Sequence, residues 1–346
     1  MQNTIIKKRN NKKEKKKVNH KKRIYIRAAV FVVLSLILFG YFFAVNCLVS
    51  AALIPSYMAE EEFFEDITEE CFAEQVQTED IETNRQEMLE EADDWFADTT
   101  GVEVERESDD GYKLIAEEFE AHEDSHKWVL LMHGYTGWKE EMYPFAAWYY
   151  KQGFNVLAPD LRCQGDSDGD FIGMGWTDHF DCMMWVDYIL SQDKDAEIVL
   201  HGQSMGAATA LIMTGDKLPD NVKMAVSDCS YTDAFSMFSE KVKEWFYLPS
   251  FPVVDTARLL LKLRGGYDLK DASAIDAVRK STVPTLFIHG DEDAMISVQM
   301  TKDLYDAAAC DKEILIVKGA GHAQSQDKSP DKYFDAVKFF IDTYVK

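Results

Sequence analysis

Gly202-Gln203-Ser204-Met205-Gly206 spells G-x-S-x-G and decides the fold that we predict for this chain. The β-branched run Ile198-Val199-Leu200 precedes it, and a helix-forming run, residues 207–213, follows it. A strand, a sharp turn and a helix in this order hold a serine in a strained conformation at the top of a sheet. The turn also places the Met205 N–H at a helix N-terminus, where it can bind a developing oxyanion. The stretch therefore predicts that Ser204 is a nucleophile, provided that an acid and a base follow.

Continuous apolar runs on both sides of this stretch are typical of buried parallel strands. They lie at residues 128–132, 155–159, 197–201, 224–228, 285–289 and 313–317. Two segments with alternating polarity, 102–106 and 112–116, flank a Ser-Asp-Asp-Gly turn and predict a hairpin. We therefore expect an α/β fold: an eight-stranded, mostly parallel sheet with helices on both faces. An interval rich in helix formers and aromatics, about 231–281, predicts a small helical cap.

The charge of the chain is distributed very unevenly. Residues 1–27 hold twelve Lys or Arg and one acid, which gives them a net charge of +11. The whole chain has a net charge of −24, so residues 28–346 carry a net charge of −35. We interpret residues 1–27 as a basic cytoplasmic tail. The strongly acidic remainder argues against a nucleic-acid partner, because phosphate groups repel it.

No charged residue occurs from Ala28 to Ala59. About 20 apolar residues suffice to cross a bilayer, so residues 28–54 are predicted to be a transmembrane signal anchor. Lys and Arg stay on the cytoplasmic side, which predicts a single-pass cell-membrane protein with an extracellular catalytic domain. A cleaved signal peptide, with Val49-Ser50-Ala51 as its cleavage site, is the alternative. The apolar core is longer than the 7–15 residues typical of signal peptides, which favours the anchor.

Residues 55–100 are predicted to be an acidic helical linker that leads to a domain at 101–346. Between residues 60 and 94 there are sixteen acids and a single base, Arg85, and apolar residues recur at helical intervals. The six cysteines include no C-x-x-C motif, so we expect no metal and no cofactor.

A serine hydroxyl needs an adjacent base, and the base needs an acid that orients it. Of eight histidines, only His322 follows the last predicted strand, in a glycine-containing loop, Gly319-Ala-Gly-His322. The acid is expected in the loop after residues 285–289, where Asp293 is the first choice and Asp291 the second. Ser204, Asp293 and His322 then follow the order in which a strand–turn–helix serine site needs them.

The loop after residues 128–132 should supply a second oxyanion donor. It reads His133-Gly134-Tyr135, and Gly134 lets the backbone approach the reacting carbonyl closely. We predict that the N–H groups of Tyr135 and Met205 form the oxyanion hole. His133, at a strand end, is interpreted as structural.

These motifs, in this order, resemble the α/β-hydrolase superfamily over about residues 101–346. Residues 159–167, Pro-Asp-Leu-Arg-Cys-Gln-Gly-Asp-Ser, are similar to a loop of that family, with Cys163 at a position where the family has Gly. The resemblance implies that Asp160 and Arg162 hold loops together by an ion pair. Residues 173–176 and 228–231 resemble stretches of membrane-anchored bacterial hydrolases with serine-aminopeptidase-like or prolyl-oligopeptidase-like domains.

The expected activity is that of a serine hydrolase that cleaves a carboxylic ester through an acyl-enzyme. The aromatic cap and the anchor favour a small-molecule or lipid-like acyl substrate. A serine peptidase or aminopeptidase is the alternative, with Glu240, Glu244 and Asp255 available to clamp an amine. A non-catalytic surface binding module is the third hypothesis, which an intact Ser, Asp and His disfavour.

Overall fold

The computed structural model describes residues 2–55, 76–122 and 124–346. The chain divides into two units, Met1–Leu48 and Val49–Lys346. Helix α1 (Gln2–Leu53) contains the apolar stretch and is long and apolar enough to cross a membrane. Residues 56–75 of the predicted linker, including Cys71, lie outside the described residues. The other five cysteines are free thiols.

The second unit is built on a single eight-stranded sheet of order β1-β2-β4-β3-β5-β6-β7-β8. β1 and β2 form the predicted antiparallel hairpin, β2 pairs antiparallel with β4, and every other neighbouring pair is parallel. The prediction of an eight-stranded, mostly parallel sheet is thus confirmed. The strands are β1 (Val102–Glu107), β2 (Lys113–Phe119), β3 (Lys127–Met132), β4 (Asn155–Pro159), β5 (Glu197–Gln203), β6 (Val222–Asp228), β7 (Thr285–Gly290) and β8 (Lys312–Val317).

Helices follow the strands in chain order and cover the sheet. They are α2 (Glu79–Asp98), α3 (Tyr143–Lys151), α4 (Trp176–Gln192), α5 (Met205–Thr214), α6 (Ala234–Trp245), α7 (Ser250–Arg264), α8 (Ala274–Val278), α9 (Val298–Ala307), α10 (Ser325–Lys328) and α11 (Pro330–Tyr344). A 3-10 turn, Lys139–Met142, precedes α3.

Two apolar cores cover the two faces of the sheet, which explains why the central strands are apolar throughout. In β3, Trp128, Leu130 and Met132 pack into one core, while Val129 and Leu131 pack into the other. Successive side chains of a strand point to opposite faces, so a strand that is covered on both sides needs an apolar residue at every position.

The interval between β6 and β7 contains α6, α7 and α8, where the sequence predicts a helical cap. Hydrogen bonds join the start of this interval to its end: Ala234 N donates to Ala272 O (3.0 Å), and Ile275 N donates to Thr232 O (2.9 Å). The Asp233 side chain caps α6 by accepting a hydrogen bond from Ser236 N (2.7 Å).

Helix α2, in the segment predicted as a linker, is packed against the domain. Its apolar face buries Ile81, Ala92 and Trp95. The Trp95 ring lies 4.7 Å from that of Phe119 and 6.0 Å from that of Tyr143, measured between centroids. The segment therefore contributes to the core as well as connecting the domain to α1.

Replacing Trp95 by Ala tests this packing. We expect a loss of about 3–5 kcal/mol in the free energy of unfolding, as for other large aromatic-to-alanine changes in cores. Urea unfolding of the full chain in detergent, followed by circular dichroism, measures it. Leu89→Ala on the exposed face of α2 is the control and should change stability by less than about 0.5 kcal/mol. Equal unfolding midpoints for the two variants would contradict the packing.

Candidate active site

Ser204 lies at the junction of β5 and α5, in a strained backbone conformation. Its φ and ψ are 55° and −114°, in a region that L-residues rarely occupy. An added Cβ at Gly202 would lie 2.1 Å from Gly206 O, and one at Gly206 would lie 2.0 Å from Met132 O. Both positions therefore require glycine, which accounts for the G-x-S-x-G pattern. Ser204 N donates to Asp228 O (2.8 Å), so β6 also holds the turn.

His322 and Asp293 meet Ser204 at this edge of the sheet. His322 Nε2 lies 2.9 Å from Ser204 Oγ, and His322 Nδ1 lies 2.7 Å from Asp293 Oδ2. A carboxylate only accepts hydrogen bonds, so Nδ1–H donates to Asp293 and leaves Nε2 to accept the serine proton. The three residues, which are 89 and 29 positions apart in the chain, form one continuous hydrogen-bonded series.

The Asp293 carboxylate is held as an anion by its neighbours. Burial by itself would raise its pKa, but the charge of His322 and hydrogen bonds from His289 and His322 outweigh it, so the pKa is held far below its usual range. Asp293 Oδ1 also accepts from Met295 N (2.8 Å) and Ile296 N (2.7 Å). A fixed, ionised carboxylate can orient an imidazole and stabilise its charged form.

Asp291, the second candidate for the acid, faces a different group. Its Oδ1 accepts a hydrogen bond from Gly319 N (2.6 Å), which ties the β7 loop to the loop that carries His322. Asp291 therefore braces the loop, whereas Asp293 is the carboxylate in contact with the imidazole.

Sequence reasoning missed His289, which lies in β7 just before the loop that carries Asp291 and Asp293, called here the acid loop. Its Nε2 donates to Ile296 O (2.9 Å) and lies 3.0 Å from Asp293 Oδ2. Its Nδ1 lies 2.6 Å from Thr301 Oγ1. Buried between α9 and the acid loop, His289 fixes the position of Asp293.

The loop after β3 lies directly against the serine. An added Cβ at Gly134 would be 3.6 Å from Ser204 Cβ and 3.8 Å from Gln203 O, so the loop backbone passes within van der Waals distance. Met205 is the first residue of α5, whose initial N–H groups have no acceptor within the helix. The loop and the helix start flank Ser204, while the roles of the Tyr135 and Met205 N–H groups stay predictions.

His133 is a structural residue of this loop. Its Nδ1–H donates to Gly134 O (2.7 Å), and its Nε2 accepts from Leu161 N (2.9 Å). Burial lowers its pKa to about 4, so the ring is neutral near pH 7. The imidazole thus links the loop after β3 to the loop after β4.

The expected ion pair between Asp160 and Arg162 is wrong, although both residues do hold loops together. Asp160 accepts from Lys139 N (2.7 Å) and Lys139 Nζ (2.9 Å) and from Asp166 N (3.0 Å). Arg162 instead donates from Nε and Nη2 to the Asp181 carboxylate, each at 2.8 Å. Asp160 is enclosed by donors from its own loop and the 3-10 turn, whereas Arg162 reaches across to α4. Directly after Arg162 the chain turns at Cys163, whose φ of 65° lies in the left-handed region that favours glycine.

Two stretches that resemble bacterial hydrolases, 173–176 and 228–231, meet beside the site. Tyr231 OH donates to Met174 O (2.9 Å). Asp228 is fully buried beneath Ser204, and burial raises its pKa to about 6. Cys229 follows with a φ of 51° and directs the chain into the cap.

Residues upstream of the predicted domain also support the site, which sequence reasoning missed. Tyr135 OH donates to Ala52 O, and Gln324 Nε2 donates to Val76 O (3.1 Å). Arg85 pairs with the buried Asp327 at 2.9 Å. Arg85 is the only base among sixteen acids, a signal that could have indicated a specific partner.

In two groups of side chains among the described residues, the possible ligand atoms lie close enough together to hold a metal ion. They are Cys229, Asp293 and His322, and the more exposed His126, Asp193 and Asp195. In the first, Asp293 and His322 already bond to one another, and burial raises the pKa of the Cys229 thiol well above its usual value, which disfavours the thiolate that binds metals. In the second, His126 already bonds to Asp193 (2.9 Å). The expectation of no metal stays a prediction.

Comparison with known proteins agrees with this architecture. A family model described as alpha/beta hydrolase fold matches residues 127–252. The uncharacterized protein YqkD of Bacillus subtilis (strain 168) is 29% identical over 233 residues, which cover 67% of this chain and 76% of that protein. The family match supports a hydrolase in general terms.

Solved structures show the same fold at low sequence identity. The Pyrococcus furiosus esterase Pf2001 superposes with a TM-score of 0.60 at 20% identity and covers 73% of this chain and 95% of its own. The acylaminoacyl peptidase of Pyrococcus horikoshii superposes with a TM-score of 0.55 at 17% identity, over 72% of this chain and 42% of its own. Together with the eight-stranded sheet, the serine turn and the matching family model, these structures show that this chain has the α/β-hydrolase fold.

Proposed function

We propose that the protein is a serine hydrolase that cleaves carboxylic esters through an acyl-enzyme, with Ser204, His322 and Asp293 as its catalytic triad. The observation that carries the proposal is the hydrogen-bonded series Ser204 Oγ–His322 Nε2 (2.9 Å) and His322 Nδ1–Asp293 Oδ2 (2.7 Å). A strained serine in contact with an oriented imidazole is the arrangement that activates a hydroxyl as a nucleophile.

The proposed reaction has two steps. Ser204 Oγ attacks the ester carbonyl while His322 Nε2 takes the hydroxyl proton, and Asp293 stabilises the imidazolium that forms. His322 then gives this proton to the leaving alcohol as the carbon–oxygen bond breaks. Water attacks the acyl-enzyme by the same route, which releases the acid and returns the proton to Ser204.

The developing negative charge on the carbonyl oxygen needs donors on the far side from His322. We assign this role to Tyr135 N–H and Met205 N–H, which belong to the loop and helix start that flank Ser204. A single donor of this kind contributes about 3–4 kcal/mol to transition-state stabilisation in comparable sites. Neither donor is a side chain, so substitution at these positions affects the hole only through the backbone.

Other buried histidines are poorly suited to act as the base. Burial lowers the pKa of His201 to about 3. Its two ring nitrogens contact Tyr149 OH and Tyr333 OH, each at 3.0 Å, in the core behind the sheet. His322, in contrast, contacts the serine itself.

Ester cleavage is favoured over aminopeptidase action by the surroundings of two cap acids, Glu240 and Glu244. Clamping a free amine requires carboxylates that are not already neutralised. Glu244 pairs with Lys241 at 2.5 Å, and burial raises the pKa of Glu240. The aromatic and aliphatic character of the cap fits an apolar acyl group better.

We also propose that the protein is anchored in the cell membrane by residues 28–48 and retains this anchor, with the domain on the extracellular side. Val49 and Ala51, within the alternative signal-peptide cleavage site, are 4% and 1% exposed. Val49 belongs to the core of the second unit, so cleavage there would remove a core side chain.

Replacing Ser204 by Ala tests the nucleophile. We expect the wild-type full chain to react with a fluorophosphonate at Ser204 and to hydrolyse p-nitrophenyl butyrate. The variant should lose labelling, and kcat should fall by about 10⁴–10⁶-fold. Ser191→Ala, on the exposed surface of α4, is the control and should keep both activities. A wild-type protein that does neither, or a variant that retains turnover, would overturn the proposal.

Comparing Asp293→Asn with Asp291→Asn tests the acid. The amide at 293 cannot stabilise an imidazolium, so we expect kcat to fall by about 10⁴-fold with little change in KM. The amide at 291 can still accept from Gly319 N and should leave kcat close to wild type. Steady-state kinetics on the same ester distinguish them, and the reverse ranking would make Asp291 the acid.

A further inference from the structure

Exposed apolar side chains are concentrated on one part of the cap. Among residues 76–122 and 124–346, twelve large apolar side chains are exposed, and six of them fall within residues 245–263. These six are Trp245, Tyr247, Leu248, Phe251, Leu259 and Leu263. Isolated exposed apolar residues are ordinary, but such a concentration marks an interaction surface.

These side chains lie on the end of α6, on the connection to α7 and on α7 itself. Tyr247 is 90% exposed, and Phe251 and Leu263 are each 75% exposed. Leu259 and Leu263 are four residues apart in α7 and therefore share one face of the helix. Asp255, one turn earlier on that face, is half-buried. We call residues 245–263 the cap edge.

The C-terminal end of the cap edge lies close to the first residues of the second unit, which begins at Val49. Arg264 Nη1, one residue after Leu263, donates to Ser50 Oγ (2.9 Å). Ile172 N donates to Leu53 O (2.9 Å), and the Arg264 guanidinium lies over the Phe171 ring at 5.2 Å. Residues 28–48 form about 31 Å of helix, which is long enough to span the hydrocarbon core of a bilayer. A chain anchored by these residues leaves the bilayer beside Ser50, and therefore beside the end of α7.

Basic residues outnumber acidic ones along the cap edge and its neighbour, Arg264. Residues 245–264 hold three bases, Arg258, Lys262 and Arg264, and one acid, Asp255, in a chain that carries −35 beyond residue 27. Asp268 pairs with Arg258 and lies 3.6 Å from Lys262, whose side chain is 61% exposed. Aromatic residues with neighbouring Lys and Arg are typical of segments that sit at the headgroup level of a membrane.

We propose that the cap edge docks on the outer surface of the bilayer in which the protein is anchored, with its apolar side chains inserted at the headgroup boundary. The cap thereby faces the membrane, in which acyl compounds reside. The inference rests on the proposed anchor and, for its catalytic consequence, on the proposed ester hydrolysis.

Photolabelling of the full chain in nanodiscs tests the docking independently of catalysis. The probe is a phosphatidylglycerol with a diazirine near the top of its acyl chain, and mass spectrometry locates the labelled peptides. We expect label on peptides that contain residues 245–263. The double variant Leu259→Glu and Leu263→Glu should reduce that label by about tenfold, because two carboxylates oppose insertion.

Phe339→Glu is the matched control, because Phe339 is 64% exposed on α11, outside the cap. It should leave the label on residues 245–263 unchanged. A wild-type protein labelled only within residues 28–53 would overturn the proposal. Cross-links between two copies at the cap edge, without lipid label, would overturn it in favour of self-association.

Hydrolysis rates on a soluble ester and on a bilayer-embedded ester then distinguish a failure of the docking from a failure of the proposed function. The Leu259→Glu, Leu263→Glu variant should hydrolyse water-soluble p-nitrophenyl acetate at the wild-type rate. It should hydrolyse a long-chain ester embedded in the nanodisc about tenfold more slowly. Equal loss on both substrates would contradict docking, whereas lipid label in a protein that fails to react with fluorophosphonate would contradict the ester hydrolase alone.

Discussion

The structure depends on the close approach of helix α5 to strands β3 and β5 at Gly202 and Gly206. Added carbon atoms at these positions would lie 2.1 Å and 2.0 Å from backbone oxygens, far inside van der Waals contact. The chain can therefore turn from strand to helix within a single residue, and Ser204 takes up the strain, with a φ of 55°. The serine hydroxyl consequently projects above the sheet, where loops from β3, β7 and β8 converge.

Each loop that reaches Ser204 is braced from behind by polar contacts. His133 ties the loop after β3 to the one after β4, and Asp291 ties the acid loop to the loop of His322. His289 holds Asp293, whose pKa is held far below its usual range, so the carboxylate remains ionised. A site that is fixed in this way spends little free energy on reorganisation during the reaction.

The segment that precedes the domain combines two roles. It connects the catalytic domain to an apolar helix, and it supports the site through Ala52, Val76 and Arg85. The proposed docking of the cap edge would suit the proposed hydrolase to acyl substrates that reside in the bilayer. Anchoring, site support and substrate access would then depend on one stretch of chain.

The sequence by itself determined the sheet, because strands covered on both faces need continuous apolar runs, and it determined the position of the strained serine, because only glycine fits on either side. It also singled out His322, which is the one histidine after the last strand. Only the tertiary structure shows that Asp293, and not Asp291, contacts His322, since both lie in one loop and only the folded chain orients them. The partners of Asp160, Arg162 and Arg85 were beyond sequence reasoning for the same reason: each ion pair joins residues that only folding brings together.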